Sequence, residues 1–252
     1  MISQIPLFLR FPGLSRQPGL SHAVFTRRGG ESLPPFDSLN VSESVGDAGG
    51  CVRGNLERIR RRLGAERLFW MNQCHGDAVA VIGPEEEAFA EGVPDADALV
   101  TDAPGLALMV KQADCQGVVL FDPERRVTAV AHSGWRGSVR NILGRTVSVM
   151  EEVFGCIPRD IRAGVGPSLG PCCAEFTSFR EIFPRSFNAF RVGEAHFNLW
   201  GLSIHQLMAA GLRRERIETA GICTRCRKDL FFSYRGEGAT GRFATVAMLK
   251  LP

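Results

Sequence analysis

Apolar residues occur along the chain in short blocks separated by turn residues. The clearest blocks are Leu106–Val110 and Val118–Phe121, which flank the polar stretch Lys111-Gln-Ala-Asp-Cys-Gln-Gly117. Short apolar runs bounded by turn residues are typical of buried strands. Similar runs predict further strands over His22–Thr26, Val127–Ala131 and Ile161–Val165. Asp114 and Cys115 are therefore expected beside a sheet.

Helical spacing of apolar residues separates several of these blocks. It predicts helices over Val52–Leu63, from Val139 to Met150, and over Leu199–Leu212. Leu68–Ile82 is predicted to be extended, and a final hairpin is predicted to join Phe231–Tyr234 to Phe243–Leu249. This alternation predicts an α/β fold, a layered sandwich around a mixed β-sheet. The composition does not change abruptly along the chain, so residues 1–252 are expected to form a single domain.

Charge and composition narrow the classes of partner. The net charge is +3, and the basic run Arg58-Ile-Arg-Arg-Arg62 lies on the polar side of a predicted helix without interleaved aromatic residues. This pattern argues against nucleic acid as a partner. No apolar stretch approaches the roughly 18 residues of a membrane span. Met1–Arg10 lacks the pattern of a secretory leader, so we expect a cytoplasmic protein with its eight cysteines as thiols or metal thiolates.

Three side chains that bind soft or borderline metals lie where predicted strands end. They are His75, Cys115 and His132. Two imidazoles and a thiolate are a ligand set for zinc, and they leave its fourth position open. Spacing alone does not decide whether the three converge, because unconnected histidines and thiols are common in proteins.

Neighbouring residues complete this interpretation. Asp114 or Asp77 is expected to orient one of the imidazoles. Cys74 precedes His75 and would point to the opposite face of an extended segment, so it is expected to be a core thiol. Gly76 and Gly134 would let the backbone approach a ligand closely.

Several ordered motifs extend over most of the chain. They are Phe25-Thr-Arg-Arg-Gly-Gly30, Ser38-Leu-Asn40, Val45-Gly-Asp47, Asn72-Gln-Cys-His-Gly76, Asp97-Ala-Leu-Val-Thr-Asp102, Ala113-Asp-Cys115, Ala131-His-Ser-Gly-Trp-Arg-Gly137, Gly166-Pro-Ser-Leu-Gly-Pro-Cys-Cys173, Phe231-Phe-Ser-Tyr-Arg235 and Thr240-Gly-Arg242. Together they resemble the YfiH-like laccase-domain family, also called polyphenol oxidases or peptidoglycan editing factors. The resemblance implies a YfiH-like fold, similar to that of certain thiol-hydrolase toxins. It also implies zinc bound by His75, Cys115 and His132, with copper the less favoured ion.

The resemblance further implies chemistry on purine nucleosides: phosphorolysis of adenosine, inosine, guanosine and methylthioadenosine, and deamination of adenosine. The three metal ligands then form the catalytic site, and purine nucleoside and phosphate are the small-molecule partners. Substrate contacts are predicted from Arg27, Asn40, Gln73 and Arg136. Arginine suits phosphate because it donates several N–H groups in a planar array. The H-x-E and P-C-x-x-C signature of zinc deaminases is absent, so deamination would need another arrangement.

Two alternative functions stay open at this stage, a thiol hydrolase and a binding module, whereas a laccase does not fit the histidine count. A multicopper laccase is disfavoured, because only His22, His196 and His205 would remain for the additional copper ions. A thiol hydrolase acting on cell-wall peptide precursors would use Cys115 as nucleophile and His132 as base. A non-catalytic zinc-containing binding module is disfavoured because structural zinc normally has four protein ligands.

Four further cysteines form two close pairs in the sequence. Cys223-Thr-Arg-Cys226 has basic neighbours, which favour thiolates. A single such pair only weakly indicates redox chemistry or a second metal, so we interpret it as incidental. Cys172 and Cys173 are expected to shape or line the active site rather than to form a disulfide with each other.

Overall fold

The computed structural model describes residues 7–86 and 95–251. The first six residues, which belong to the N-terminal segment considered for a leader, lie outside these ranges. Within the described ranges there are eleven strands and seven α-helices. The strands are β1 (Phe8–Leu9), β2 (Leu20–Phe25), β3 (Arg67–Phe69), β4 (Val79–Val81), β5 (Ala98–Thr101), β6 (Leu106–Gln112), β7 (Gln116–Asp122), β8 (Val127–Ser133), β9 (Arg162–Val165), β10 (Ile217–Thr219) and β11 (Phe243–Leu249). The helices are α1 (Pro12–Ser15), α2 (Gly49–Leu63), α3 (Trp135–Val139), α4 (Ile142–Phe154), α5 (Phe179–Ile182), α6 (Leu199–Ala209) and α7 (Tyr234–Glu237). Each of them is too short or too polar to traverse a bilayer.

The described strands form two mixed sheets. The five-stranded sheet has the order β1-β2-β11-β6-β3, and the six-stranded sheet has the order β10-β9-β7-β8-β5-β4. Three strand pairs are parallel, namely β3 with β6, β4 with β5, and β10 with β9. The other strand pairs are antiparallel. The predicted class, α/β with mixed pairing, is confirmed, although the pattern did not separate the two sheets.

Alternation within β6 and β7 shows how the layers stack. Leu106, Leu108 and Val110 of β6 share one buried cluster with Val119 and Phe121 of β7. This cluster therefore fills the space between the two sheets. The intervening β6 residues pack in a cluster beneath α2, and the intervening β7 residues pack beneath α4 and α6. Both strands are buried on two faces, which explains why their sequences are unbroken apolar runs.

The helices cover the outer faces of the two sheets. In α2, Ile59 is fully buried, while Arg61 and Arg62 remain exposed as the charge pattern predicts. The segment predicted as one helix from Val139 is divided into α3 and α4, and Val139 itself is 38% exposed. Asn141 separates the two helices. It adopts a left-handed conformation (φ 59°), and its side chain caps α4 by accepting the Gly144 N–H.

Two local predictions are wrong. Phe231 and Phe232 are fully buried, but they lie outside the strands, and β11 pairs with β2 and β6 instead of with a hairpin partner. The segment Leu68–Ile82 is not one extended unit, because β3 and β4 belong to different sheets. Between them His75 takes a left-handed backbone conformation with φ 58°. Both errors arise because an apolar run shows burial but does not show which strand will pair with it.

Candidate metal centre and cavity

The three predicted ligands come from three separate places in the fold. His75 lies in the loop between β3 and β4, Cys115 in the connection from β6 to β7, and His132 near the end of β8. One donor atom from each lies within 4.8 Å of the other two. Cys115 Sγ is 3.9 Å from His75 Nε2, and the two imidazole rings are nearly perpendicular at a centroid distance of 4.8 Å. The chain thus brings the three side chains together.

The connection from β6 to β7 carries the chain from one sheet to the other. Cys115 is the residue before β7, and the pairing of β7 with β8 places Gly117 opposite His132. Gly134 follows β8 at the same end. A Cβ atom at Gly134 would lie 2.8 Å from Cys115 Sγ and 3.0 Å from His75 Cδ2. Glycine is therefore needed here so that the thiol and the imidazole can approach each other.

Asp97, immediately before β5, organises both histidines. Its Oδ1 lies 2.8 Å from His132 Nδ1 and accepts the His75 backbone N–H at 3.1 Å. Its Oδ2 accepts the Gly76 N–H at 2.5 Å. Burial raises the pKa of Asp97, but the hydrogen bonds from His132 and Gly76 outweigh this effect and lower the pKa to about 2. The carboxylate occupies Nδ1 of His132, so Nε2 is the ring nitrogen that remains available as a donor.

The other expectations about residues beside the three proposed ligands are wrong. Asp77 is exposed, and the Asp114 side chain is bonded to other loops rather than to an imidazole. Cys74 is exposed instead of buried, and its Sγ lies 3.3 Å from Asp97 Oδ2. Asp97 begins one of the motifs of the family resemblance, but its sequence context predicts no role at the site. Its role depends on the pairing of β5 with β8, which sequence spacing does not reveal.

Asp114 has a different function beside the thiol. Its backbone is left-handed (φ 86°), and its carboxylate accepts hydrogen bonds from the hydroxyls of Thr224 and Ser233, each at 2.7 Å. The same carboxylate accepts the backbone N–H of Arg235 at 2.5 Å. Asp114 therefore joins the connection that carries Cys115 to two distant loops. An acid next to the thiol is explained by this structural role.

The charges of Cys115 and His132 are linked. Burial raises the pKa of the Cys115 thiol, but the charge of His132 and hydrogen bonds from both histidines lower it further than burial raises it. Burial lowers the pKa of His132, and the opposing effects of Cys115 and Asp97 raise it above its usual value. The net effect favours a thiolate, which is the form of cysteine that binds metals.

The ligands open onto a cavity of about 940 Å³. This volume lies within the range of small-molecule sites. Five cationic side chains contribute to its lining: Arg53, Lys111, Arg136, Arg235 and Arg242. Aromatic side chains also line it: Trp70, Trp135, Phe176 and Tyr234. Such a lining suits an anionic ligand that also carries a flat ring.

Two of the four predicted substrate contacts lie at this cavity. Gln73 lines it, although its amide is hydrogen-bonded on both sides to the Lys111 backbone. Arg136 also lines it, with its guanidinium carbon 4.4 Å from the centroid of the Trp135 ring.

Arg27 and Asn40 are not among the lining residues. Arg27 pairs with Glu237 at 2.8 Å and covers the Phe232 ring. The side chain of Asn40 bonds to Asp47 and to the backbone of Ser42. We therefore assign both residues a structural role.

Four cationic residues of the lining, Arg53, Lys111, Arg235 and Arg242, were missed as site residues. Arg235 and Arg242 belong to motifs of the family resemblance, but no local pattern in these motifs indicates that they face the three proposed ligands. The Lys111 ammonium lies 4.9 Å from the centroid of the Trp70 ring. Burial lowers the pKa of Lys111 to about 8. A lysine that lines a cavity with a lowered pKa is a typical functional group.

Comparisons with known proteins show the family of the chain. Residues 21–250 match the sequence model of a family described as multi-copper polyphenol oxidoreductase laccase, and the chain belongs to this family. A purine nucleoside phosphorylase of Xylella fastidiosa is 36% identical, with 92% of this chain and 93% of that protein covered. Purine nucleoside phosphorylase YlmD of Geobacillus stearothermophilus is 33% identical, with 89% and 88% covered. The crystal structure of YlmD from Geobacillus stearothermophilus superposes with a TM-score of 0.88 at 30% identity, covering 99% of this chain and 98% of that one. The predicted family resemblance is confirmed.

Proposed function

We propose that this protein is a zinc-dependent purine nucleoside phosphorylase that cleaves adenosine, inosine, guanosine and methylthioadenosine, and that also deaminates adenosine. The observation that carries the proposal is the convergence of three metal-binding side chains on a cavity lined by cationic and aromatic groups. Relatives described as purine nucleoside phosphorylases, aligned over about nine-tenths of the chain, support the same reaction class.

His75, Cys115 and His132 would hold the zinc. The donor set fits, because two imidazoles and a thiolate already lie within 4.8 Å of one another, and Asp97 orients His132. When bound there, zinc supplies a Lewis acid beside the substrate, since three protein ligands leave its fourth position open. The remaining histidines lie elsewhere: His22 accepts the Phe11 N–H, and His205 packs on Phe190. Among the described residues no second histidine cluster exists for a multicopper centre.

Phosphorolysis requires phosphate and nucleoside to be held side by side. An oxygen of hydrogenphosphate attacks C1′ of the ribose, and the C1′–N9 bond breaks with its electron pair leaving on the purine. The proton of hydrogenphosphate ends on the purine, so the products are the free base and ribose 1-phosphate. Arg136, Arg235 and Arg242 would bind phosphate through their guanidinium groups. Tyr234 is 62% exposed and offers a ring on which the purine can stack.

The test combines one substrate with two conditions. Protein of known metal content is incubated with adenosine, with and without phosphate, and adenine, inosine and ribose 1-phosphate are separated. We expect adenine and ribose 1-phosphate only when phosphate is present, and inosine in both conditions. Ribose 1-phosphate should exceed adenine by the amount of hypoxanthine that phosphorolysis of inosine releases. Cys115→Ser should lose both activities, whereas Cys51→Ser, which changes a cysteine outside the site, should retain them. Absence of all three products from the metal-loaded protein would overturn the proposal.

A thiol hydrolase is the second candidate, because Cys115 lies beside two imidazoles. In that mechanism the metal-free protein still cleaves cell-wall peptide precursors. Treatment of this metal-free protein with an alkylating reagent then abolishes the cleavage. A metal-bound thiolate behaves in the opposite way: the chelator inactivates the protein, and bound metal protects Cys115 from alkylation. Sequential treatment with the two reagents, with the modified residue identified by mass spectrometry, separates the two candidates.

A further inference from the structure

Four thiols meet at a second place, outside the cavity lining. Cys172 and Cys173 come from the loop after β9, and Cys223 and Cys226 from the turn after β10. One sulfur from each residue lies within 4.8 Å of the other three. Cys226 Sγ is 3.7 Å from Cys172 Sγ and 3.6 Å from Cys173 Sγ. Residues about fifty positions apart in sequence thus form one compact group.

We propose that these four cysteines are a second metal site, which binds zinc and has a structural role. In a tetrahedral Zn(Cys)₄ site with Zn–S bonds of about 2.3 Å, neighbouring sulfurs are separated by roughly 3.8 Å. The two Cys226 distances lie close to this value. They are far longer than the roughly 2.05 Å of a disulfide bond. Four protein ligands close the coordination sphere, which distinguishes this site from the three-donor centre in the cavity.

The backbone around the thiols holds them in this arrangement. Ser168 and Cys223 form a parallel bridge between the two loops, and Thr224 donates its N–H to Ser168 O at 3.0 Å. A Cβ atom at Gly170 would lie 2.8 Å from the Trp200 ring and 3.1 Å from Cys223 Cβ, so only glycine allows this approach.

The sequence around the second pair of cysteines is basic. Four thiolates around a divalent ion carry a net charge of −2. Arg225 lies between Cys223 and Cys226 in the sequence, and Lys228 follows two residues after Cys226. Arg227 is paired with Asp229. Cationic neighbours lower the free energy of cysteine ionisation and so assist metal binding.

The site would fix one wall of the cavity. Thr224, between the second pair of cysteines, donates its hydroxyl to Asp114 at 2.7 Å, and Leu169 donates its N–H to Asp114 O at 2.9 Å. Ser168 and Leu169 line the cavity, and Asp114 precedes Cys115. An ion held by the four thiols would therefore hold these loops against the connection that carries Cys115. Its role is to position the wall, and it takes no part in the reaction.

Metal counting tests this inference independently of enzymatic activity. The full-length protein is purified with reductant under anaerobic conditions, and zinc per chain is measured. We expect two equivalents in the wild type, one in Cys226→Ser, one in Cys115→Ser and two in the control Cys51→Ser. Cys172→Ser should also bind one equivalent, and circular dichroism checks that each variant is folded. A single equivalent in the wild type that Cys115→Ser removes would overturn the proposal, as would two equivalents in both Cys226→Ser and Cys172→Ser.

X-ray absorption identifies the ligands directly. In Cys115→Ser, the remaining zinc should have four sulfur neighbours at about 2.3 Å and no imidazole signal. Nitrogen neighbours at that ion would contradict a site made of four cysteines. A Cys226 disulfide that persists in the reduced wild-type protein, detected by intact mass, would also overturn the proposal.

Discussion

Asp97 is the single residue on which most of the three-donor centre depends. Its carboxylate contacts His132 and receives backbone N–H groups from His75 and Gly76. Asp97→Asn keeps the size of the side chain but turns an N–H group toward donors. We expect metal affinity at this centre to fall by roughly 10–100-fold, as is typical when the partner of a ligand is lost. Competition with a chromophoric chelator measures the affinity.

Asp95→Asn provides the matched control for this substitution. Asp95 is exposed two residues away and bonds to Asn72 rather than to a ligand. Its amide variant should bind metal as the wild type does. Equal metal affinity in Asp97→Asn and Asp95→Asn would show that Asp97 does not support metal binding at this centre.

Lys111 leads to a prediction about pH. Burial lowers the pKa of its ammonium to about 8, so the side chain is charged below pH 8 and neutral above it. If Lys111 attracts phosphate, the attraction is present at low pH and is lost as pH rises through 8. We expect the KM for phosphate to increase by up to about tenfold per pH unit above this point, because the charged fraction falls at that rate.

Lys111→Arg isolates the effect, because arginine stays charged throughout this range. The variant should show a flat KM for phosphate from pH 7 to about 9.5, and Lys111→Met should show a high KM at every pH. Parallel pH profiles for the wild type and Lys111→Arg would contradict a role for this charge.

The convergence of the three proposed ligands was predictable from sequence, whereas the residues that support them were not. His75, Cys115 and His132 could be identified because each combines a metal-binding side chain with a strand end and, for the histidines, a nearby glycine. Whether Asp97 or Asp114 orients a histidine depends on the pairing of β5 with β8 and on the left-handed backbone at Asp114. Neither property leaves a local signal in the sequence.

At the scale of elements, β6 and β7 were well predicted, and the segment Phe231–Tyr234 was not. The two strands are buried on both faces, so their apolar runs match the strand pattern directly. Phe231 and Phe232 have the same apolar character, yet they pack into the layer between the sheets from an irregular segment that follows a turn. Burial alone produces both patterns, and only backbone pairing separates them.

Packing of the Phe231 segment gives a prediction about stability. Phe231 is fully buried, and its ring centroid lies 4.9 Å from that of Phe243 in β11. Phe231→Ala should lower the free energy of unfolding by about 3–5 kcal/mol, because it leaves a cavity between the sheets. Tyr234→Ala, at an exposed position, should change it by less than about 0.5 kcal/mol. Urea denaturation measures both, and a similar small loss in both variants would contradict the observed packing.

At the scale of the molecule, the two sheets and the proposed metal sites have separate roles. The layer between the sheets consists of apolar side chains, and the metal ligands lie where strands end or in loops. Asp97 and Asp114 hold the cavity loops by hydrogen bonds that need no ion. The fold should therefore persist without metal, unlike that of a small zinc finger, which unfolds when its metal is removed.

Metal removal tests whether the fold persists without metal. The experiment uses Cys226→Ser, in which only the three-donor centre of the cavity should bind metal. Chelation of that variant should leave its far-UV circular dichroism unchanged and abolish nucleoside cleavage. Its Tm should fall by about 5–10 °C, because an ion at about 100 times its Kd contributes roughly 2.7 kcal/mol and each kcal/mol shifts Tm by about 2–4 °C. Added zinc should restore nucleoside cleavage and the original Tm in Cys226→Ser. It should restore neither in the double variant Cys226→Ser with His75→Ala. Complete unfolding on chelation would show that the sheets depend on the ion, which their apolar interface gives no reason to expect.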